Sequence, residues 1–232
     1  MKISTGISYC ESGIRSSIRA MQVANELVGI SNENIGGFDK VGYQRKEPVI
    51  SSFTEFLGVH GISTSVDEQV GRIQISERPL DIAIATKGYF QIQTPQGVRL
   101  TRDGRFQLDK DGNLMSQDSG LVLSDSGTPI RLPFVPKDLK QIQIDKKGRV
   151  SVFNESTRKL EYVATMGVVD STGMAVMHPD VKQGYNEYSN VSLQNEFLNI
   201  MPTIRAFEAN RQIFIMQNTN IQKAVSQLGS AS

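Results

Sequence analysis

The two ends of the chain carry matching seven-residue apolar repeats, and nothing between them sustains one. At the start the repeat runs Ile7, Ile14, Met21, Val28, Ile35; at the finish it runs Leu193, Ile200, Phe207, Phe214, Ile221, Leu228. A heptad stripe is narrow, and a helix that carries one needs a second helix to cover it. Two distant stripes are most simply each other's cover. The termini then form a stalk and the middle of the chain a body looped out from it, an architecture suited to a subunit built into something longer than itself. These positions are the expected assembly seam.

The N-terminal segment has no proline over residues 5–35, and Ile18 and Leu27 widen its stripe, so one long helix is expected, capped by Ser4 or Thr5. Gly29, Gly36 and Gly37 each cost a helix interior ~1 kcal/mol relative to Ala, so the helix should loosen at 29 and stop by 36. The C-terminal helix should start at Ser189 or Asn190 and run to Leu228, with a second apolar line at Phe197, Ile204 and Val225. Arg211 and Asn218 interrupt that line and read as register-setting polar groups. Pro202 removes a backbone N–H and crowds the preceding turn, so a kink or break is expected near 198–202.

Between the helices the period changes. Residues 38–78 read as an extended connector, with pieces such as Val49-Ile50-Ser51-Ser52-Phe53. From 79 to 185 short apolar runs of period two alternate with turn residues: Leu80–Ile84, Tyr89–Ile92, Val98–Leu100 and Arg105–Leu108 around Asp103-Gly104, and Leu114 after Asp111-Gly112. Gln141–Ile144 and Arg149–Phe153 then flank Lys147-Gly148, and Tyr162–Ala164 and Met166–Val169 follow. Glycine in such pairs supplies the positive φ of tight hairpins, which predicts antiparallel sheet. The expected fold class is α+β, with terminal helices paired in a coiled-coil-like stalk around an all-β middle. The expected divisions are 1–37, 38–78, 79–185 and 186–232.

Composition removes several functions. Twenty-five Lys and Arg against 24 Asp and Glu give a net charge of +1 with no basic run, which argues against nucleic acid or anionic membrane as partner. No apolar stretch reaches the ~18 residues a membrane helix needs, and the first 30 residues lack a secretory signal pattern, so no membrane span and no cleaved signal are expected. The single cysteine, Cys10, sits at a heptad core position and reads as packing. His60 and His178 lack companions at zinc spacing, so no metal is expected. Asp109, Asp111 and Asn113 open like a calcium loop, but Leu114 and Gly120 stand where its glycine and glutamate belong, and a hairpin turn is the better reading. No nucleophile elbow, phosphate loop or dinucleotide fingerprint occurs, so neither catalysis nor a cofactor is expected.

Three ordered motifs carry a family resemblance. Ser31-Asn32-Glu33-Asn34-Ile35 followed by Gly42-Tyr43-Gln44-Arg45 resembles the N-terminal signature of flagellar basal-body rod and hook proteins, although Gly36 and Gly37 replace the usual Ala and Asn. Leu80-Asp81-Ile82-Ala83-Ile84, Gly88-Tyr89-Phe90 and Thr101-Arg102-Asp103-Gly104-Arg105-Phe106 are similar to the family's middle motifs. Ser189-Asn190-Val191, Glu196 and Arg205-Ala206-Phe207-Glu208-Ala209-Asn210 resemble its C-terminal pattern. Within the family the short connector is more similar to the proximal rod proteins than to the distal rod or hook proteins.

The resemblance implies a structural subunit of the rod, the periplasmic drive shaft that transmits torque around the export channel and serves flagellum-dependent motility. It implies export through the flagellar type III apparatus without a cleaved signal, with copies of itself, other rod proteins and that apparatus as partners and no small-molecule substrate. Each buried Leu, Ile or Phe returns ~1.5–3 kcal/mol against ~1–2 kcal/mol of backbone entropy per ordered residue, so the ends should fold fully only when neighbours cover them. Arg205 and Glu208 are candidates for polar contacts at the seam, or for a solvated pair. Two other classes stay open: a glycan-binding β module with oligomerising arms, which the absence of Trp disfavours, and an enzyme, which needs a clustered titratable site.

Overall fold

The computed structural model describes the backbone of residues 2–50 and 62–229 and the side chains of 13–49 and 62–227. The side chains of Ile7, Cys10 and Leu228, and all of His60 and Ser51–Phe53, lie outside the described residues. The fold is α+β, with a helix at each end and mostly antiparallel β-structure between. Residues 1–36, 46–66 and 192–232 form one compact unit, and residues 37–45 and 67–191 a second.

The first unit holds α1 (Lys2–Gly37), α2 (Leu193–Gly229) and a ribbon of β1 (Lys46–Ile50) on β2 (Ile62–Val66). Both helices lie where the heptads placed them, their ends shifted by a few residues. α1 already includes Ser4 and Thr5 and continues through Gly29 and Gly36 despite the propensity cost of those glycines. α2 is continuous across Pro202, and the expected break is absent. The carbonyl that Pro202 cannot bond belongs to Leu198, which is 70% exposed, so water can satisfy it. The cap of α2 is Ser192, whose hydroxyl accepts the Asn195 N–H at 3.5 Å, not Ser189 or Asn190.

The second unit runs β3 (Arg72–Ile75), β4 (Ile82–Ile84), β5 (Tyr89–Thr94), β6 (Gly97–Thr101), β7 (Gln107–Leu108), β8 (Leu114–Met115) and β9 (Leu121–Val122). A short 3-10 turn at Leu139–Gln141 precedes β10 (Ile142–Ile144), β11 (Arg149–Asn154), β12 (Lys159–Thr165), β13 (Val168–Val169), β14 (Val181–Gln183) and β15 (Tyr185–Tyr188). The largest sheet has the order β13-β5-β9-β8-β7, with β6 on the far side of β5; β10-β11-β12 form a second sheet, and β14 pairs β4 while β15 pairs β3. Strand alternation turns Phe90 and Ile92 of β5, Ile142 and Ile144 of β10, and Val150 and Val152 of β11 into one core with Leu80, Ile82, Ile84 and Phe106. Phe90 and Phe106 meet edge to face, their centroids 5.1 Å apart.

The hairpins share one turn plan. Asp109, Asp145 and Asp170 each accept, through Oδ1, the backbone N–H groups two and four residues on. Gly112, Gly148 and Gly173, three residues after each aspartate, have φ of 84°, 78° and 86°. Asp111-Gly112 and Lys147-Gly148 are thus the hairpin turns expected. Asp103-Gly104 is not one: β6 pairs with β5, β7 pairs with β8, and the two strands flanking the dipeptide do not pair with each other. Gly104 is needed for a different reason, since its carbonyl accepts from Ile82 N–H and a Cβ there would collide with the Ile82 carbonyl oxygen.

Candidate assembly surfaces and the motif residues

Within the helical unit, α1 meets α2 first through small residues. A Cβ on Gly13 would run into the amide of Gln217, Ser17 and Ala24 are 3% and 4% exposed, and the Ser17 hydroxyl donates to the Gly13 carbonyl. Gly13, Ser17, Ala20 and Ala24 follow helical spacing, so they form one face on which another backbone can approach closely. Beside that face the seam residues Ile14, Met21, Val28 and Ile35 are half-buried. On α2, Leu193, Ile200, Phe214 and Ile221 are half-buried and Phe207 is 36% exposed. The heptad reading did not single out these small residues, which carry too little hydrophobicity to register.

Open surfaces remain among the described residues of this unit. An open groove of about 720 Å³ is lined by α1 from Arg15 to Leu27 and by Pro202, Thr203, Ala206 and Asn210 of α2. The second apolar line of α2 lies exposed, with Phe197 at 57%, Ile204 at 41% and Val225 at 63%, and Met201, outside that line, is 53% exposed. Arg205 and Glu208 are also exposed.

The family-motif residues act mainly as brackets. Asn34, 1% exposed, donates to the Lys46 carbonyl and accepts the Lys46 N–H, imitating a strand partner and fixing the start of β1 to the end of α1. Its neighbours Ser31 and Asn32 lie toward the surface. In the β unit, Asn190 accepts the Arg45 N–H and donates to the Asp67 and Gln69 carbonyls, binding the segment after α1 to the one after β2. Gly42 has φ 72°, and a Cβ there would strike the Asp103 backbone; Tyr43 occupies the space a side chain on Gly37 would take. Ser189 is fully buried and accepts the Val191 N–H, and Glu196 is 1% exposed.

Two buried charges organise the β unit. Asp81, 2% exposed, accepts from Ser76 at 2.6 Å and from Asn186 at 2.8 Å through Oδ2, with Arg78 3.7 Å from its other oxygen. Arg102, also 2% exposed, pairs with Glu187 at 2.6 Å and donates to the Ile84, Thr86 and Gly88 carbonyls. Glu187 further accepts the Gly71 N–H, while its own carbonyl accepts from Gly42. Around this hub Leu80, Phe90 and Phe106 are buried, Gly88 takes φ 142° against Val168, and Thr101 accepts the Asp103 N–H. Glu187 lies outside every quoted motif, and the charge of Arg102 is the clue that a buried acid must exist somewhere.

Among the described residues no cluster of three His, Cys, Asp or Glu could hold a metal, and no helix is long and apolar enough to cross a membrane. Asp109 sits below its ordinary pKa because the Asn113 side chain and turn N–H groups stabilise its carboxylate, and Asp170 does so through Thr172 and Met174. Burial raises Asp145, but the Arg149 N–H and guanidinium outweigh it and the net shift is downward. These are turn caps.

Comparison with known proteins agrees with the motifs. Residues 83–152 match the flagellar hook protein FlgE/F/G D1 domain, and residues 182–228 match the flagellar basal body rod FlgEFG protein C-terminal domain. The FlgG rod protein of Bacillus subtilis is 26% identical over 93% of this chain and 97% of its own length. The FlgF rod proteins of Mesorhizobium japonicum and Rhizobium meliloti are 27% and 25% identical over 88% and 95% of this chain and 90% and 99% of theirs. With the two domains in order, their motif residues bracketing the fold and full-length rod relatives of both kinds, the chain belongs to the flagellar hook and rod protein family, as a structural rod subunit of the FlgF/FlgG type.

Proposed function

We propose that this chain builds the periplasmic rod of the flagellar basal body by helical self-association through α1 and α2, forming part of the drive shaft around the export channel. One observation carries the reading: α2 leaves Phe197, Met201, Ile204 and Val225 in solvent. Large apolar side chains left exposed along a long helix belong against a neighbouring chain. The paired helices act as a coiled-coil-like stalk with the heptad positions as the seam, and close-packed stalks resist twist and so transmit torque. Other rod proteins and the export apparatus are its further partners, and it travels by that apparatus. The short connector favours the proximal rod over the distal.

The test is complementation of a strain lacking the native chain with residues 36–232. The β body should fold and resist protease while no rod forms. Restored rods and motility would overturn the reading.

A further inference from the structure

The sheet β10-β11-β12 turns Ile142, Ile144, Val150 and Val152 into the core, so the residues between them face outward. Register sets three of these in one row: Gln143 on β10 opposes Ser151 on β11, and Ser151 opposes Tyr162 on β12. With strands ~4.8 Å apart the row is ~10 Å long. Arg149 and Leu160 hold the adjacent outward positions on β11 and β12, and this face opens into a groove of about 810 Å³. Some of its groups are fixed and others free. Tyr162 is 61% exposed, and its hydroxyl meets that of Thr165 at 2.9 Å, which anchors the ring; Leu160 beside it is 48% exposed. Asp145 accepts from Arg149 Nε at 2.7 Å, which offsets the charge and leaves the terminal guanidinium nitrogens without a hydrogen bond among the described residues. The Gln143 amide and the half-buried Ser151 hydroxyl likewise have no side-chain partner there.

We propose that this face binds a neutral oligosaccharide, a function separate from helical assembly and independent of it. A pyranose has the pattern the groove offers: a side of C–H groups that packs on the electron-rich face of an aromatic ring, and a rim of hydroxyls that each donate and accept. One sugar ring stacks on Tyr162, with Leu160 extending the apolar contact. The strand then crosses the sheet, its polar groups meeting Ser151 ~5 Å along the row and Gln143 ~10 Å along it, with Arg149 donating from the side. The Gln amide and the Ser hydroxyl both donate and accept, as sugar hydroxyls and acetamido groups require. Charge selects against anions: the groove lining carries one acid and one base, already paired, and so lacks the uncompensated cation that a phosphate or a nucleic acid needs. The fully apolar centre of a protein interface is missing too, since polar side chains separate the apolar contacts from the far end of the row.

The test is nuclear magnetic resonance titration of the isotope-labelled full-length chain with chitotetraose, whose sugars carry acetamido groups, and with cellotetraose, which has the same linkage without them. Saturable shifts centred on Ser151, Leu160 and Tyr162 are expected with at least one of them, and the two arms separate recognition of the acetamido group from recognition of the ring. Tyr162→Ala should weaken binding about tenfold or more, while Tyr162→Phe, which keeps the ring, should stay within about threefold of wild type. Gln143→Ala and Ser151→Ala probe the other end of the row and should each weaken binding about threefold. No saturable shift with either sugar would overturn the proposal, as would wild-type affinity in Tyr162→Ala or in both Gln143→Ala and Ser151→Ala. Shifts at the same residues that grow with protein concentration in the absence of sugar would give the face to a second copy of the chain and overturn it too.

Discussion

Replacing Arg102 with Met removes the cation at the centre of the β unit while keeping a long apolar side chain in its place. The change leaves the Glu187 carboxylate, whose side chain is 4% exposed, with the Gly71 N–H at 2.8 Å and without its counter-charge. Breaking a buried pair from one side costs ~3–5 kcal/mol. The carbonyls of Ile84, Thr86 and Gly88 lose donors at 2.7, 3.1 and 2.6 Å, each a further ~1 kcal/mol unless water enters. The total is a large part of the ~5–15 kcal/mol by which a domain is stable. Urea unfolding of the full chain, followed by circular dichroism, should show the midpoint falling by ~3–4 M at a slope of ~2 kcal/mol/M, or by ~1.5–2.5 M where water replaces the lost carbonyl donors. Arg102→Met with Glu187→Leu removes both charges and should recover ~2 kcal/mol or more of the loss, because the orphaned carboxylate is what costs most. A midpoint within ~0.5 M of wild type for the single variant, or a double variant no better than the sum of the singles, would refute the hub assignment.

Three further outcomes follow from local geometry. Gly104→Ala should destabilise the β unit by ~1–3 kcal/mol, since its Cβ meets the Ile82 carbonyl rather than a flexible side chain; an unchanged urea midpoint would contradict this. Asn34→Ala should cost ~1–3 kcal/mol and speed hydrogen exchange at Lys46, whose N–H it holds at 2.8 Å, and unaltered protection there would remove Asn34 from its bracketing role. Asp109, Asp145 and Asp170 have folded pKa values below their ordinary 3.8. Their stabilisation is therefore complete above that range and is lost as pH falls through the depressed values. Urea midpoints measured from about pH 5 to about pH 2 should drop, and Asp170→Asn should flatten the drop; an identical profile for that variant would refute the turn-cap role.

How much of this was written locally in the chain can be judged residue by residue. The heptads located both helices because periodicity is a local property, and Asp111-Gly112 and Lys147-Gly148 located hairpins because their glycines take the positive φ such turns require. Asp103-Gly104 misled because its glycine answers a close backbone approach from Ile82, distant in sequence. Ser189 and Asn190 read as helix caps, yet Asn190 bonds Arg45 and Asp67, and nothing within a helical turn of it announces those partners. The Arg102 to Glu187 pair joins residues 85 apart and is invisible to any window. Pro202 was legible as a cost, but its consequence depended on whether the Leu198 carbonyl would be exposed, which only the tertiary structure decides. The small-residue face of α1 escaped for the opposite reason to the heptad: close packing of backbones leaves no hydrophobic signal.

The central claim, a rod subunit assembled through its terminal helices, is tested most directly by electron cryo-microscopy of intact basal bodies carrying this chain. The account predicts density for the chain within the rod, with α1 and α2 in the tube around the channel and the β unit outside it. Rods that form normally without the chain, or a chain whose helices lie outside while its β unit lines the channel, would contradict it.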